Sequence, residues 1–303
     1  MPAYRPDYLE EALESLLSQT FADFALVLVD DSESKGAYAL AERYARTDHR
    51  ITLYQNQERL GLVGNWRRAY ELAMEHHPKA EFFAWGSDHD IWHPQWLARL
   101  IRALDAEPDA VLAYPLTVKI DPLGHPSGRR PRRFNTVGIS SMNERVALSA
   151  RKMKAGEQIY GLFRSPVLRE AGIFRRVMVP DRLLLIELCL LGSFVQVDDL
   201  LWNRRVLARP TLRRQRASLF RSTPFHAYLP YSLVHTVVLA LSRNSPASDL
   251  SYTEKLHLVR TFARESLALR ARRWRRKLRQ RLGPRRLRVL IRELVRYLAR
   301  RAA

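Results

Sequence analysis

The sequence predicts an α/β domain on a mainly parallel sheet, followed by a helical, strongly basic C-terminal extension. Short apolar runs alternate with stretches of helical periodicity from residue 8 to residue 106. "FALVLV" (24–29) is a continuous apolar run too short for a typical helix, as a parallel strand covered on both faces would be. The charge is also uneven. Residues 260–303 hold 17 Lys and Arg against two Glu, a balance of +15, while the other 259 residues hold 34 basic against 29 acidic, only +5.

The elements follow in order. "YLEEALESLLSQTF" (8–21) places Leu9, Ala12, Leu13, Leu16 and Leu17 at helical spacing. The strand 24–29 ends in "DDS". "AYALAERYA" (37–45) reads as a helix, "RITLYQN" (50–56) as a strand, and "NWRRAYELAMEH" (65–76) as a helix. "AEFFAW" (80–85) is a short strand that stops at Asp88 and Asp90, and Pro94 suits the first turn of a helix over 94–106. Strands alternating with helices through short loops are the pattern of a parallel sheet. "AVLAYPLTVKI" (110–120) is a strand, and "GHPSGRRPRRF" (124–134) has the composition of a mobile loop. "QIYGLFRS" (158–165) reads as a strand into a turn, "DRLLLIELCLLG" (181–192) as a helix ended by Gly192, and "SFVQVDDLLWNRR" as a strand running into basic residues. From about residue 211 the pattern is helical and increasingly basic.

A chain of 303 residues, 47% hydrophobic and 10% aromatic, can build a substantial core. Its one cysteine, Cys189, lies inside an apolar run and is expected to be a small core residue. The N-terminus shows no apolar segment of a secretory signal, which makes the cytoplasm the default location.

Ligands of open α/β sheets sit beyond the carboxyl ends of the strands. Asp30 and Asp31 end one strand; Asp88 and Asp90 end another. Residues i and i+2 of an extended segment project to one side, so Asp88 and Asp90 could share one hard cation, Mg²⁺ or Mn²⁺, that bridges diphosphate oxygens. Asp30 and Asp31 could accept hydrogen bonds from a base or ribose. Asp is also common in turns and at helix N-caps, which is the plain alternative for each pair. His89 alternates away from the carboxylates and reads as a spacer. Trp92 and Trp96, spaced i and i+4, read as packing.

The order "YLEEALESLLSQTFADFALVLVDDSES", "DHRITLYQNQERLGLVGNWRRAYELA" and "FFAWGSDHDIWHPQWLARL" resembles the family-2 glycosyltransferases over about residues 2–110. The resemblance implies a GT-A fold: a Rossmann-like nucleotide-sugar half over 1–115, an acceptor half over 116–210, and the extension 211–303. It implies that Tyr4, Asp30, Asp31 and Asp88 bind the donor and that Asp88-His89-Asp90 is the metal and diphosphate motif. Family members open with an apolar strand ending in Pro-x-Tyr. Here "PAY" (2–4) follows Met1 directly, so that strand is expected to be missing and the natural start to lie upstream.

Inversion at a sugar carbon needs a general base for the acceptor hydroxyl. The resemblance suggests an acid at the start of a helix in the second half. Asp181 in "VPDRLLLIEL" fits, with an N-cap as its alternative and Glu187 as a weaker candidate. "YGLFR" (160–164) resembles the acceptor-side segment, where Gly161 would let substrate approach the backbone. Arg204 and Arg205 could neutralise the leaving diphosphate, or be a solvated pair.

In the extension, "YLPYSLVHTVVLALS" (228–242) is apolar but short of the roughly 20 residues that span a bilayer. Leu287, Leu290, Ile291, Leu294 and Leu298 share one helical face, Arg288, Arg292, Arg296 and Arg300 the other, and Gly283-Pro284 is expected to separate this helix from the one before. Basic amphipathic helices lie on anionic membranes; packing on the catalytic domain is the competing reading. Nucleic acid has the matching charge but no recognised module here.

The expected function is metal-dependent, inverting sugar transfer from a nucleotide-sugar to a saccharide or lipid-linked acceptor, in cell-surface glycan synthesis at the inner face of the membrane. Two alternatives stand beside it. A sugar-phosphate nucleotidyltransferase would show a Gly-rich, Lys-containing loop. A basic membrane- or nucleic-acid-binding protein on a degenerate nucleotide fold would not need four intact aspartates.

Overall fold

The Leu and Val run becomes strand β2 (Leu26–Asp30), buried at every residue. β2 pairs in parallel with β3 (Ile51–Gln55) on one side and with β1 (Pro2–Ala3) on the other. This computed structural model describes residues 1–34, 36–127, 131–153, 155–207 and 211–302, with the backbone alone at 212, 273, 278, 279 and 281–302. Around the first sheet lie α1 (Leu9–Leu17), α2 (Gly36–Ala45) and α3 (Gly61–His76). After β4 (Phe82–Ala84) and β5 (Ile91–Trp92) come α4 (Trp96–Ala106), β6 (Ala110–Ile120), α5 (Met142–Lys152) and α6 (Ala155–Gln158). The chain continues through β7 (Leu162–Arg164), α7 (Ser165–Glu170), α8 (Pro180–Leu191), β8 (Ser193–Arg205), α9 (Leu212–Leu219), α10 (Tyr231–Leu241) and α11 (Tyr252–Ala302).

The three-stranded sheet is wholly parallel. The second sheet, ordered β4-β7-β6-β8-β5, is mixed: β6 and β8 run parallel over a long register, and the other pairs are antiparallel. The segment from α5 to α8 is long enough to return β8 parallel to β6. Of "QIYGLFRS" only Leu162–Arg164 is strand. Helical bonds from Ile159 to Ala155 and a turn bond from Gly161 to Gln158 hold the first half back.

Of the opening strand expected to be missing, the two residues Pro2–Ala3 are in place. Pro2–Ala3 occupies the edge of β2, with Val29 N–H donating to Met1 O at 3.0 Å and Asp31 N–H to Ala3 O at 2.9 Å. The ladder groups of β2 need partners, and this short segment supplies them at Val27 O, Val29 N–H and Asp31 N–H. Met1's amino group donates to Val27 O at 2.6 Å, and burial lowers its pKa to about 5.

One core gathers Trp66, Trp85, Phe163, Leu184 and Phe194 with Leu219, Phe220, Leu239, Leu258 and Phe262. A second lies under α1, α2 and α4. The packing therefore does not stop at residue 210: α9, α10 and the start of α11 share the central core. Helix α11 also runs unbroken through Gly283-Pro284, correcting the expected separation. Strong helix formers (Arg281, Leu282, Arg285, Arg286) stand on either side of the Gly-Pro pair, and the proline's missing N–H removes one ladder bond. The amphipathic faces expected beyond residue 281 concern side chains outside the described residues. So do residues 128–130 of the expected loop. Cys189 is buried against Ser149, with its thiol pushed up to about 12 by burial, and Trp92 and Trp96 are both buried with ring centroids 5.8 Å apart. Among the described residues no helix is long and apolar enough to cross a membrane.

Candidate active site at the sheet edge

At the end of β2 the two aspartates hold different helices. Asp30 accepts from Ser32 N–H (2.9 Å), Ser32 O–H (3.0 Å) and Tyr38 N–H (3.2 Å), anchoring the first turn of α2. Asp31 accepts from Leu60 N–H (2.7 Å), Gly61 N–H (2.9 Å) and Asn56 Nδ2 (2.8 Å). It sits at the positive end of α3, where a carboxylate is favoured. Gly61 makes that turn at φ +76°, where a Cβ would also meet the Phe220 backbone at 3.0 Å. Burial raises the Asp31 pKa; the three donors and the nearby Arg59 charge pull against it. Tyr4 is 46% exposed with the Arg59 guanidinium 5.2 Å from its ring centroid, and Arg59 Nε is buried without a partner among the described residues.

Asp88 and Asp90 lie on a bend between β4 and β5 rather than on extended chain, so spacing alone does not align them. Asp88 Oδ2 accepts from Tyr4 N–H (2.8 Å) and Arg5 N–H (3.0 Å), which fastens the end of β1 to this loop. Its Oδ1 lies 2.6 Å from His89 Nδ1. His89 is therefore the partner of Asp88, not a spacer. Burial alone would raise Asp88, but the imidazole and the two amides outweigh it and hold the carboxyl low. Burial would lower His89, and the two aspartates outweigh that in turn. Asp90 Oδ1 accepts from Arg205 N–H at 2.8 Å, and burial raises its pKa.

A hard cation fits this donor set in part. Both carboxylates offer oxygen, the ligand type Mg²⁺ and Mn²⁺ take, but no group of three metal-binding side chains exists among the described residues. Asp88 has both oxygens committed to protein donors, which leaves Asp90 as the freer ligand.

Arg205 is 4% exposed and is not a solvated residue. Its guanidinium donates to the carbonyls of His89 (3.0 Å) and Pro122 (2.8 Å) and pairs with Glu11, and it lies 4.3 Å from the Tyr8 ring centroid. It clamps β8 to the Asp90 loop. Arg204 points elsewhere: its charge acts on both Asp90 and Asp181. Tyr160 marks the same junction. Burial raises its hydroxyl pKa, Asp90, Asp88 and Asp181 add to the rise, and Arg204 opposes it.

Asp181 is the second residue of α8, not its N-cap. The cap position is Val179, with left-handed φ 56°, ψ 53° and no side-chain cap bond. A β-branched residue there is strained by about 1–3 kcal/mol. Asp181's carboxyl is raised by burial, against the pull of the Arg182 and Asp181 amides and of Arg182 and Arg204. Behind the turn, His235 on α10 lies 2.9 Å from Met178 O through Nε2.

Two weaker candidates take structural roles. Glu187, fully buried, pairs with Arg175 at 2.8 Å and accepts from Gly172 N–H at 3.1 Å. At Gly161 a Cβ would meet Ala113 O at 2.4 Å, so what approaches this backbone is β6, not a substrate. Sequence reasoning passed over Tyr160, Arg59 and His235. Tyr160 stands beside Gly161 in a quoted motif, but only the fold brings it to the aspartates.

Comparison with known proteins covers the first half of the chain in sequence and most of it in fold. The sequence model of glycosyl transferase family 2 matches residues 1–159, just over half of the chain. A Bacillus subtilis protein named as a glycosyltransferase, EpsH, is 29% identical over 106 residues, 35% of this chain and 29% of that one. An uncharacterized glycosyltransferase of Methanocaldococcus jannaschii is 27% identical over 119 residues, 39% of each chain. The match thus spans well under two thirds of either relative. Staphylococcus aureus TarS (1–349) shares the fold with TM-score 0.58 at 14% identity, over 88% of this chain and 70% of that chain. A Pyrobaculum calidifontis mannosyltransferase, solved with GDP-mannose and Mn²⁺, has TM-score 0.50 at 16% identity over 88% of this chain and 85% of that one.

Proposed function

The chain belongs to glycosyl transferase family 2, and on that premise we propose that it moves a sugar from a nucleotide-diphosphate sugar to a saccharide or lipid-linked acceptor. Transfer proceeds with inversion, in cell-surface glycan synthesis at the inner face of the membrane. What supports this reading is the family match over residues 1–159, together with Asp88 and Asp90 both buried on the loop between β4 and β5 within that match.

Tyr4, Asp30, Asp31 and Arg59 hold the nucleoside in this reading. Asp181 takes the proton of the acceptor hydroxyl as its oxygen bonds to the anomeric carbon. The bond from that carbon to the diphosphate breaks, the electron pair leaves with the diphosphate, and Arg204 balances the departing charge. A divalent cation, Mn²⁺ or Mg²⁺, held by Asp90 and supported by Asp88, would neutralise diphosphate oxygens when bound. Arg205 keeps the Asp90 loop on β8 and Asp88 keeps it on β1.

The test is Asp90→Asn. Calorimetric titration with UDP- and GDP-sugars in Mn²⁺ should show donor binding lost and the melting curve retained. Equal affinity in variant and parent would remove Asp90 from the metal role.

A further inference from the structure

Helix α10 carries no charged residue, and only one of its faces is covered. Ser232, His235 and Leu239 are buried against the core. On the other side Leu233 is 53%, Val237 47% and Leu241 75% exposed, at a spacing of four that makes one apolar stripe. Phe225 (81%) and Tyr228 (61%), on the turn just before the helix, are exposed as well. Helix α11 packs on α10, with His235 and Phe262 stacked at 6.5 Å. Along it Leu267 (63% exposed), Arg270 and Trp274 (64% exposed) recur at spacings of three and four, and Arg270 reaches Ser232, the neighbour of Leu233, at 3.5 Å. Arg272, Arg275, Arg276 and Lys277 are exposed around Trp274.

We infer that the outer face of α10, with Leu267 and Trp274 of α11, is the surface that docks on an anionic lipid bilayer. The inference rests on the membrane part of the reading above and names where it acts. An apolar stripe of this length is costly to leave in water, and a rim of guanidinium groups beside it suits phosphate headgroups rather than a neutral partner. Phe225, Tyr228 and Trp274 are the side-chain types that settle at the interface between headgroups and acyl chains. Both helices are built into the central core through Leu239, Leu258 and Phe262. Docking through this face would hold the catalytic domain itself against the bilayer, not a loosely attached tail.

The experiment is sedimentation of the full chain with vesicles of phosphatidylcholine containing about 30% phosphatidylglycerol, an anionic surface of the kind basic segments recognise. The triple variant Leu233→Gln, Val237→Gln, Leu241→Gln should lose binding by at least about tenfold while keeping its melting curve, because the replaced side chains are exposed. Vesicles with brominated acyl chains should quench parent fluorescence, and Trp274→Phe should remove that quenching. If the triple variant pellets like the parent, basic charge alone suffices, the membrane reading stands and this face is overturned. If the parent does not bind vesicles, both fall together. If the triple variant instead turns a dimer into a monomer in light scattering with vesicle binding unchanged, the face belongs to a second copy and the inference is wrong.

Discussion

After β2 and β4, Asp31 and Asp88 take hydrogen bonds from segments far away in the chain. Asp31 is held by Leu60 and Gly61, and Asp88 by Tyr4 and Arg5. At the start of α8, Asp181 leans on the amides of its own first turn and follows a left-handed valine. The first group is fixed by backbone donors before any ligand arrives, which suits groups whose task is to position. Asp181 is half-buried with few donors, its pKa is raised, and its turn is strained, which suits a carboxylate whose task is to accept a proton.

The largest effect should come from Asp181→Asn. Turnover should fall by roughly 10²-fold or more, the usual scale of general-base catalysis, with donor affinity unchanged. The sign of the pH effects follows from the raised pKa. The base works only when ionised, so the acid limb of the parent's pH–rate profile should lie above the ordinary carboxylate range. For stability, the folded state binds the proton more tightly than the unfolded state. The parent therefore loses stability relative to the Asn variant as pH rises from the unfolded pKa through the folded one. A variant that melts earlier than the parent at neutral pH, with turnover kept, would mean the comparison misassigns Asp181.

Asp31→Ala probes the other side. It strands the amides of Leu60 and Gly61 at the start of α3 and should cost about 1–3 kcal/mol of stability, together with donor affinity. Urea unfolding reads the first and calorimetry the second. Unchanged stability would show that these bonds do not organise the donor edge.

The smallest effect, and the one that sharpens the comparison most, is expected at His235. Leu there removes the contact to Met178 O and should cost about 1 kcal/mol. The strained turn should then relax, lowering kcat several-fold while KM for the donor stays put. Gln, which can still donate, should recover most of kcat. Equal kcat in all three proteins would detach the turn from catalysis.

The sequence by itself determined much of the frame. The run Leu26–Val29, the periodicity of α1 to α4 and the length of "AVLAYPLTVKI" specify strands and helices because burial on one or both faces demands those patterns. The four aspartates Asp30, Asp31, Asp88 and Asp90 stand out in the sequence for a related reason: carboxylates at strand ends stop apolar runs. The tertiary structure decided what those residues touch. Asp88 bonds Tyr4 and Arg5 from more than eighty positions away, Arg205 turns inward to the His89 carbonyl while Arg204 lies over the Trp202 ring, and Gly161 is filled by β6. It also decided that His235, from the basic extension, reaches Met178 O in the turn before α8, and that Phe262 belongs to the central hydrophobic core. Periodicity reports which face of an element is covered. It carries no record of what covers it, because that depends on contacts between segments whose separation in sequence says nothing of their distance in space.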